Sequence, residues 1–365
     1  MKIEAILNCI EEIAPTAYQE SYDNAGLIVG NKHAVLTGVL ICLDAIEAVL
    51  DEAIEKGCNL IVAHHPIVFS GLKRITGNSY IERILIKAIK NDIAIYAAHT
   101  NLDNVFVSGV NAQIAKRLAL ANTRILAPKK GILKKLYTYV PIKNAEDLKN
   151  ALFEAGAGKI GNYTECSFSV EGLGTFMATD NTNPVVGEKG KRHYEPEQKV
   201  ELIFPAYLES KIINALLNAH PYEEVAYDII TIDNKHPQVG AGLIGELEEA
   251  MDSYEFLAYL KDKMQTDCIR YTTIHKDKIQ KIALCGGAGS FLLNQAISAK
   301  ADVFITGDYK YHQFFDAENR IIIADIGHFE SEQFTIDLFY DLLMQKFPNF
   351  AIYKTTIRTN PINYL

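Results

Sequence analysis

Four short stretches of this sequence carry residues that bind metals or move protons: His64-His65-Pro66, His99-Thr100-Asn101-Leu102-Asp103, Asp308-Tyr309-Lys310-Tyr311-His312 and His328-Phe329-Glu330-Ser331-Glu332. Each follows an apolar run, LIVA, IYAA, FITG and IIIADIG in turn. Ligands of parallel sheets collect beyond the carboxyl ends of the strands, so these four tips converge if the runs lie side by side. Adjacent histidines in an extended segment point in opposite directions, and Pro66 keeps His65 extended, so the pair suits two ions better than one. His328 and Glu332 are spaced i, i+4 at a helix start after Gly327, which puts both on one face and lets Glu332 bridge.

His64, His65, Asp103, His328 and Glu332 together offer three imidazoles and two carboxylates. Nitrogen and oxygen donors without a thiolate suit two divalent ions per subunit: zinc, iron or manganese. Two ions roughly 3.5 to 4 Å apart acidify a water between them and prepare metal-assisted hydrolysis. Any one of these residues, taken singly, is more often a hydrogen-bonded structural group, so the case rests on their convergence. His99 either orients a ligand or substrate from behind the metal ligands or caps its strand. Asp308, Tyr309, Tyr311 and His312 divide evenly between proton transfer at the same cleft and plain packing, with His99 and His312 as the candidate proton carriers.

Other motifs have blander readings. Gly286-Gly287-Ala288-Gly289 either cradles a phosphate or makes a tight strand-to-helix turn, and no GK[ST] follows it. Asp23 and Asn24 read as turn formers before a strand. His220-Pro221-Tyr222-Glu223-Glu224 reads as a structural corner at a helix end. The lysines at 129, 130, 134 and 135, with Lys189, Lys191 and Arg192, read as solvated faces.

The elements that must position the candidate ligands alternate. Gly38 to Leu43, Leu60 to Ala63 and residues 93 to 98 are strand-like, separated by helical periodicity at 45 to 56 and 81 to 90. The same grammar returns at Lys281 to Cys285, Val303 to Thr306 and Ile321 to Asp325. Two similar α/β halves with mainly parallel sheets follow, over residues 1 to 130 and 236 to 365, forming one metal-binding core. Between them, strand LKKLYTYVP, helix Ala145 to Ala155, strands around 166 to 178, strand Lys199 to Phe204, helix Leu208 to Ala219 and strand Ala226 to Ile232 give β-α-β-β-α-β. That order predicts an inserted ferredoxin-like α+β domain over 131 to 235, with 180 to 198 as a surface loop.

The chain has 365 residues, 48% hydrophobic and 22% charged, which places it among folded globular proteins. Its net charge of -9 disfavours general attraction to nucleic acid phosphates. Six scattered cysteines without a CxxC pair read as reduced core thiols. An amphipathic first helix, in place of a charged leader, and the lack of a long apolar run predict a cytoplasmic protein that does not enter membranes.

The motifs SYDNAGLIVG, AHHPIVF, HTNLD, CGGAGSF, TGDYKYH and GHFESE, in this order and spacing, resemble the Nif-three-like dinuclear-metal family, whose members are labelled GTP cyclohydrolase I type 2 homologs. The likeness spans nearly the whole chain, and Tyr22 stands where the family usually has Trp. It implies that the five residues hold a metal pair bridged by Glu332, that the chain forms a toroidal homohexamer, and that the insert is similar to PII and CutA signalling folds. Two functions are then expected in competition. One is a metal-dependent hydrolase of a nucleotide or related small molecule; the other is a non-catalytic regulatory assembly whose insert senses a ligand or partner.

Overall fold

A computed structural model describes every residue from Met1 to Leu365. Its strands, in chain order, are β1 (Gly26–Val29), β2 (Val39–Cys42), β3 (Leu60–Ala63), β4 (Ala94–Ala97), β5 (Ala121–Pro128), β6 (Leu133–Pro141), β7 (Phe168–Met177), β8 (Arg192–Pro205), β9 (Tyr227–Ile232), β10 (Gly240–Asp252), β11 (Arg270–Tyr271), β12 (Lys278–Ala288), β13 (Val303–Gly307), β14 (Ile322–Asp325) and β15 (Ile352–Lys354). By contacts the chain divides into two compact units, one made of residues 1–128 and 238–365, the other of residues 129–237.

In the first unit the apolar runs become β2, β3 and β4, each buried along its whole length. They pair in parallel, Val39 beside Leu60 and Leu60 beside Ala94. Strands apolar on both faces are stable only when both faces are covered. Helices Glu47–Glu55 and Tyr80–Lys90 supply one cover, and their Val49, Leu50, Ala53, Ile84 and Ala88 join Leu40, Ile61 and Ile95 in one core. The second helix begins at Ser79, whose side chain accepts from the Glu82 N–H, the role its place before the apolar stripe suggests. The finished sheet runs β1-β4-β3-β2-β15, with β1 the one antiparallel member.

The second sheet of this unit runs β11-β14-β13-β12-β10-β5. Its centre repeats the pattern of three consecutive parallel strands, β12, β13 and β14. Its flanks do not, because β10 lies antiparallel to both β12 and β5, and β11 lies antiparallel to β14. The expected mainly parallel arrangement therefore holds for the first sheet, while the second is mixed. Pro128 of β5 faces Gly240 of β10, so these strands are the arms of a hairpin whose turn has been replaced by residues 129–237.

The second unit has the order β6, helix Ala145–Glu154, β7, β8, helix Glu209–Ala219, β9. Its sheet runs β7-β8-β6-β9, antiparallel throughout, which is the ferredoxin-like arrangement. Leu136, Val140, Val200 and Leu202 of the strands close over Leu148, Leu152, Ile212 and Leu216 of the two helices. One boundary moves. The charged stretch from Arg192, read as part of a loop, belongs to β8, because it completes an unbroken ladder with β7 from Phe168–Glu201 to Met177–Arg192. Ladder hydrogen bonds outweigh the weak strand propensity of Glu, Gln and Lys.

Candidate metal centre

The carboxyl ends of β2, β3, β4, β13 and β14 present Asp44, His64 and His65, His99 and Asp103, Asp308, and His328 with Glu332. His64 and His65 do not splay as extended neighbours would. The strand has ended at Ala63, both N–H groups turn onto the Leu43 carbonyl at 3.1 and 3.0 Å, and the two rings lie with centroids 4.9 Å apart. Strand alternation no longer governs residues beyond the strand end.

The two histidines nonetheless serve different groups. His64, Asp103 and Glu332 form one triad of converging donor atoms, and His65, His328 and Glu332 form another. Within the first, His64 Nε2 lies 3.6 Å from Asp103 Oδ1 and 3.7 Å from Glu332 Oε1. In the second, Glu332 Oε2 is 2.9 Å from His65 Nε2 and 3.1 Å from His328 Nε2. Each oxygen of one buried carboxylate thus faces a different triad. His99 approaches from the side, its ring 5.3 Å from His64 and 5.4 Å from His65, and it forms a third group with these two.

Every one of these imidazoles is held by its Nδ1. His64 Nδ1 donates to the Ala98 carbonyl at 2.8 Å, His65 to Asp44 at 2.7 Å, His328 to Asp308 at 2.7 Å and His99 to Asp23 at 2.8 Å. A neutral imidazole that donates from Nδ1 presents a lone pair at Nε2, the tautomer that binds a cation. Asp23 is fixed in turn by the Thr100 N–H at 3.0 Å and by the Thr100 hydroxyl. Asp308 sits at φ +55°, a left-handed conformation that aspartate tolerates better than most residues, and from there it meets His328.

The donor set fits a pair of divalent cations. His64 Nε2 and Asp103 Oδ1 are buried and have no hydrogen-bond partner. Buried polar atoms are normally paired, and a divalent cation would satisfy both of these. His65 Nε2 and His328 Nε2, 3.2 Å apart, likewise direct lone pairs at each other unless a proton or a metal stands between.

The electrostatics agree. Burial, then the neighbouring Glu332 charge, lifts the Asp103 carboxyl to about 8. Glu332 is buried too, yet His64 and His328 overcome that penalty and hold it well below the usual carboxylate range. Burial alone would lower His65, but Asp44 and Glu332 raise it to about 9; burial likewise opposes His328, which Glu332 and Asp308 raise to about 11. The carboxylates thus favour the charged forms of His65 and His328, which is how a site rich in negative charge behaves. Burial and the same carboxylates push the Cys285 thiol upward, and no cysteine belongs to either triad.

Gly286 and Gly287, expected in a phosphate cradle or a strand-to-helix turn, lie instead in an irregular stretch of β12 and serve this carboxylate. Gly287 has φ +63°, and a Cβ there would lie 2.4 Å from Glu332 Oε1. Its N–H donates to Ser331 Oγ at 2.9 Å, and the Gly286 N–H donates to Asn111 at 3.0 Å. The glycines therefore admit Glu332 to the strand end.

Around the donors opens a cleft of about 770 Å³ with an apolar rim that includes Tyr22, Phe69, Tyr80, Phe291 and Phe329. No Lys or Arg lines it. His312 does not reach this cleft. The chain turns at Asp308, Tyr309 is buried with its N–H on Asp325, and the exposed His312 ring meets Tyr311 edge-on and stacks on Phe315. Asp23 and Asp44 are the two partners that sequence reasoning missed. Asp44 had a legible signal, a carboxylate just past a strand tip like the others, whereas Asp23 lies 76 residues from His99 and looks like any turn residue.

Comparison with known proteins identifies the family to which this fold belongs. The family model for Duf34/NIF3 (NGG1p interacting factor 3) matches residues 1–361. A GTP cyclohydrolase 1 type 2 homolog of Bacillus subtilis (strain 168) is 40% identical over 328 residues, 89% of this chain and 88% of the relative. One from Staphylococcus aureus (strain MSSA476) is 36% identical over 370 residues and covers 100% of both chains. The crystal structure of a Bacillus cereus protein related to NIF3 superposes with a TM-score of 0.85 at 39% identity, covering 100% of this chain and 99% of that one.

Proposed function

Because the chain belongs to the Duf34/NIF3 family and its cleft gathers two donor triads on one shared carboxylate, we propose that it holds two divalent cations and hydrolyses a nucleotide or related small molecule. His64, Asp103 and Glu332 hold one ion and His65, His328 and Glu332 the other, zinc, iron or manganese by the hardness of the donors. The observation that carries this is the pair of orphaned buried atoms, His64 Nε2 and Asp103 Oδ1, facing the same carboxylate.

Bound there, the ions supply Lewis acidity and lower the pKa of water near neutrality. The protein's own part is to position and to move protons. The Asp23–His99 pair is the proton carrier, with Nδ1 tied and the other nitrogen turned toward His64 and His65. The aromatic rim favours a planar ring, and the relatives' name suggests opening of a guanine ring as the reaction to try first. Protein loaded with each metal and incubated with GTP is expected to release formate, with activity lost in H65A and E332Q. Turnover that survives in both variants, or none with any metal or purine nucleotide, rejects the hydrolase.

A toroidal homohexamer and a PII- or CutA-like role for the insert belong to the same proposal, as does a cytoplasmic setting. No helix of the chain is long and apolar enough to cross a membrane. Light scattering giving six copies in solution is the expected result for the assembly.

A further inference from the structure

Residues 129–237 enclose a second cavity, of about 410 Å³, on the sheet face opposite the two helices. Val200, Leu202 and Phe204 of β8 point into the helix-covered core, so Glu197, an odd-numbered neighbour, points the other way. That face should be wet, yet Glu197 is 9% exposed. It is covered by two segments, Thr182 to Val186 and the Tyr222-Glu223-Glu224 corner. The corner is thus more than a chain reversal.

Glu197 is poorly compensated for a buried carboxylate. One oxygen accepts from the Tyr222 hydroxyl at 2.9 Å. Burial and that carboxylate push the Tyr222 hydroxyl up, so it remains a donor. The other oxygen lies where a Cβ on Gly174 would come within 2.1 Å, so the glycine makes room for it. No Lys, Arg or His lines the cavity, while Glu223 and Glu224 add further negative charge. Phe176 and Tyr222 stand with ring centroids 6.2 Å apart, and Met177, Val185 and Val186 complete an apolar wall. A buried carboxylate calls for a positive partner, and aromatic rings with an acidic end suit a cation carried on an apolar body.

We propose that this cavity binds a small organic cation, a primary ammonium or guanidinium on an apolar or aromatic group, with the charge against Glu197 and the body against the wall that Phe176 and Tyr222 form together. The site is independent of the metal centre and stands whether or not the hydrolase reading does. Benzylammonium and phenylguanidinium serve as probes and benzyl alcohol as the neutral match, titrated into the full-length chain by calorimetry and ligand-observed NMR.

The expected result is saturable binding of one cation per chain, at least tenfold tighter than the alcohol. E197Q should remove that preference while metal content stays unchanged. Should E197Q fail to fold, V185W, placed on an exposed position of the covering segment, fills the cavity from outside and is expected to abolish binding. Cations that bind no better than the alcohol, binding indifferent to both variants, or capture of Lys-rich peptides with no affinity for the small probes would each overturn the proposal.

Discussion

At the scale of single residues, the centre is a set of side chains whose freedom has been removed before any ion arrives. His65 illustrates the point, since Asp44 ties its Nδ1 and Thr359 in turn donates to Asp44 at 2.5 Å. Replacing such an outer carboxylate costs a metal site about 10- to 100-fold in affinity. D44N is therefore expected to weaken one ion by that factor and leave the other nearly unchanged, as read by competition with a chelator. E332Q should strip both ions, because its two oxygens serve both triads; elemental analysis finding one ion retained at full occupancy would refute the sharing. Equal loss of both ions in D44N would show that the triads do not act separately.

At the scale of elements, two devices decide whether these residues meet. The first is the pair Gly286-Gly287 in the last part of β12, where the register with β13 is irregular. A Cβ at Gly287 both strains a left-handed backbone, by roughly 1 to 2 kcal/mol, and collides with Glu332. G287A is expected to lose metal while far-UV circular dichroism changes little, whereas an unaltered metal count would deny the glycine its role. The second is Glu52 in helix Glu47–Glu55. It accepts from the Thr356 N–H at 3.0 Å and from the hydroxyls of Thr355 and Thr356, so it anchors the chain just past β15.

Burial alone would raise the Glu52 carboxyl, but Thr355, Lys56 and Thr356 bring it down to about 2, from an ordinary value of 4.5. Its contribution is therefore complete above about pH 4.5 and is lost as pH falls through about 2, up to roughly 3 kcal/mol. Acid unfolding of E52Q should lack that component. Strand tips were legible because an apolar run followed by His or Asp is a local pattern, and the placement of β3, β4 and β14 did the rest. The strand β10, the carboxylate of Asp23 and the duty of Gly287 were not, since each depends on a partner distant in the chain that only packing supplies.

At the scale of the whole molecule, residues 129–237 leave and return by the arms of one hairpin, and the His236 N–H bonds the Lys129 carbonyl at 2.8 Å. Segments whose ends meet can be removed with little loop-closure penalty. A chain with a short Gly-Ser turn between Pro128 and Gln238 is expected to keep its full metal content, and residues 129–237 alone to unfold cooperatively. A collapse of metal content in the shortened chain would contradict this division. The cleft offers a last consequence. With neither Lys nor Arg on its walls, and with His65 and His328 already engaged by Glu332, the cleft has little of its own to offer an anion. If the proposed function holds, admission is expected to be ordered, with cations first and a phosphate-bearing guest second. Chelator-treated protein should ignore GTP at concentrations that saturate the loaded form, so the supply of trace elements becomes the gatekeeper of the chamber.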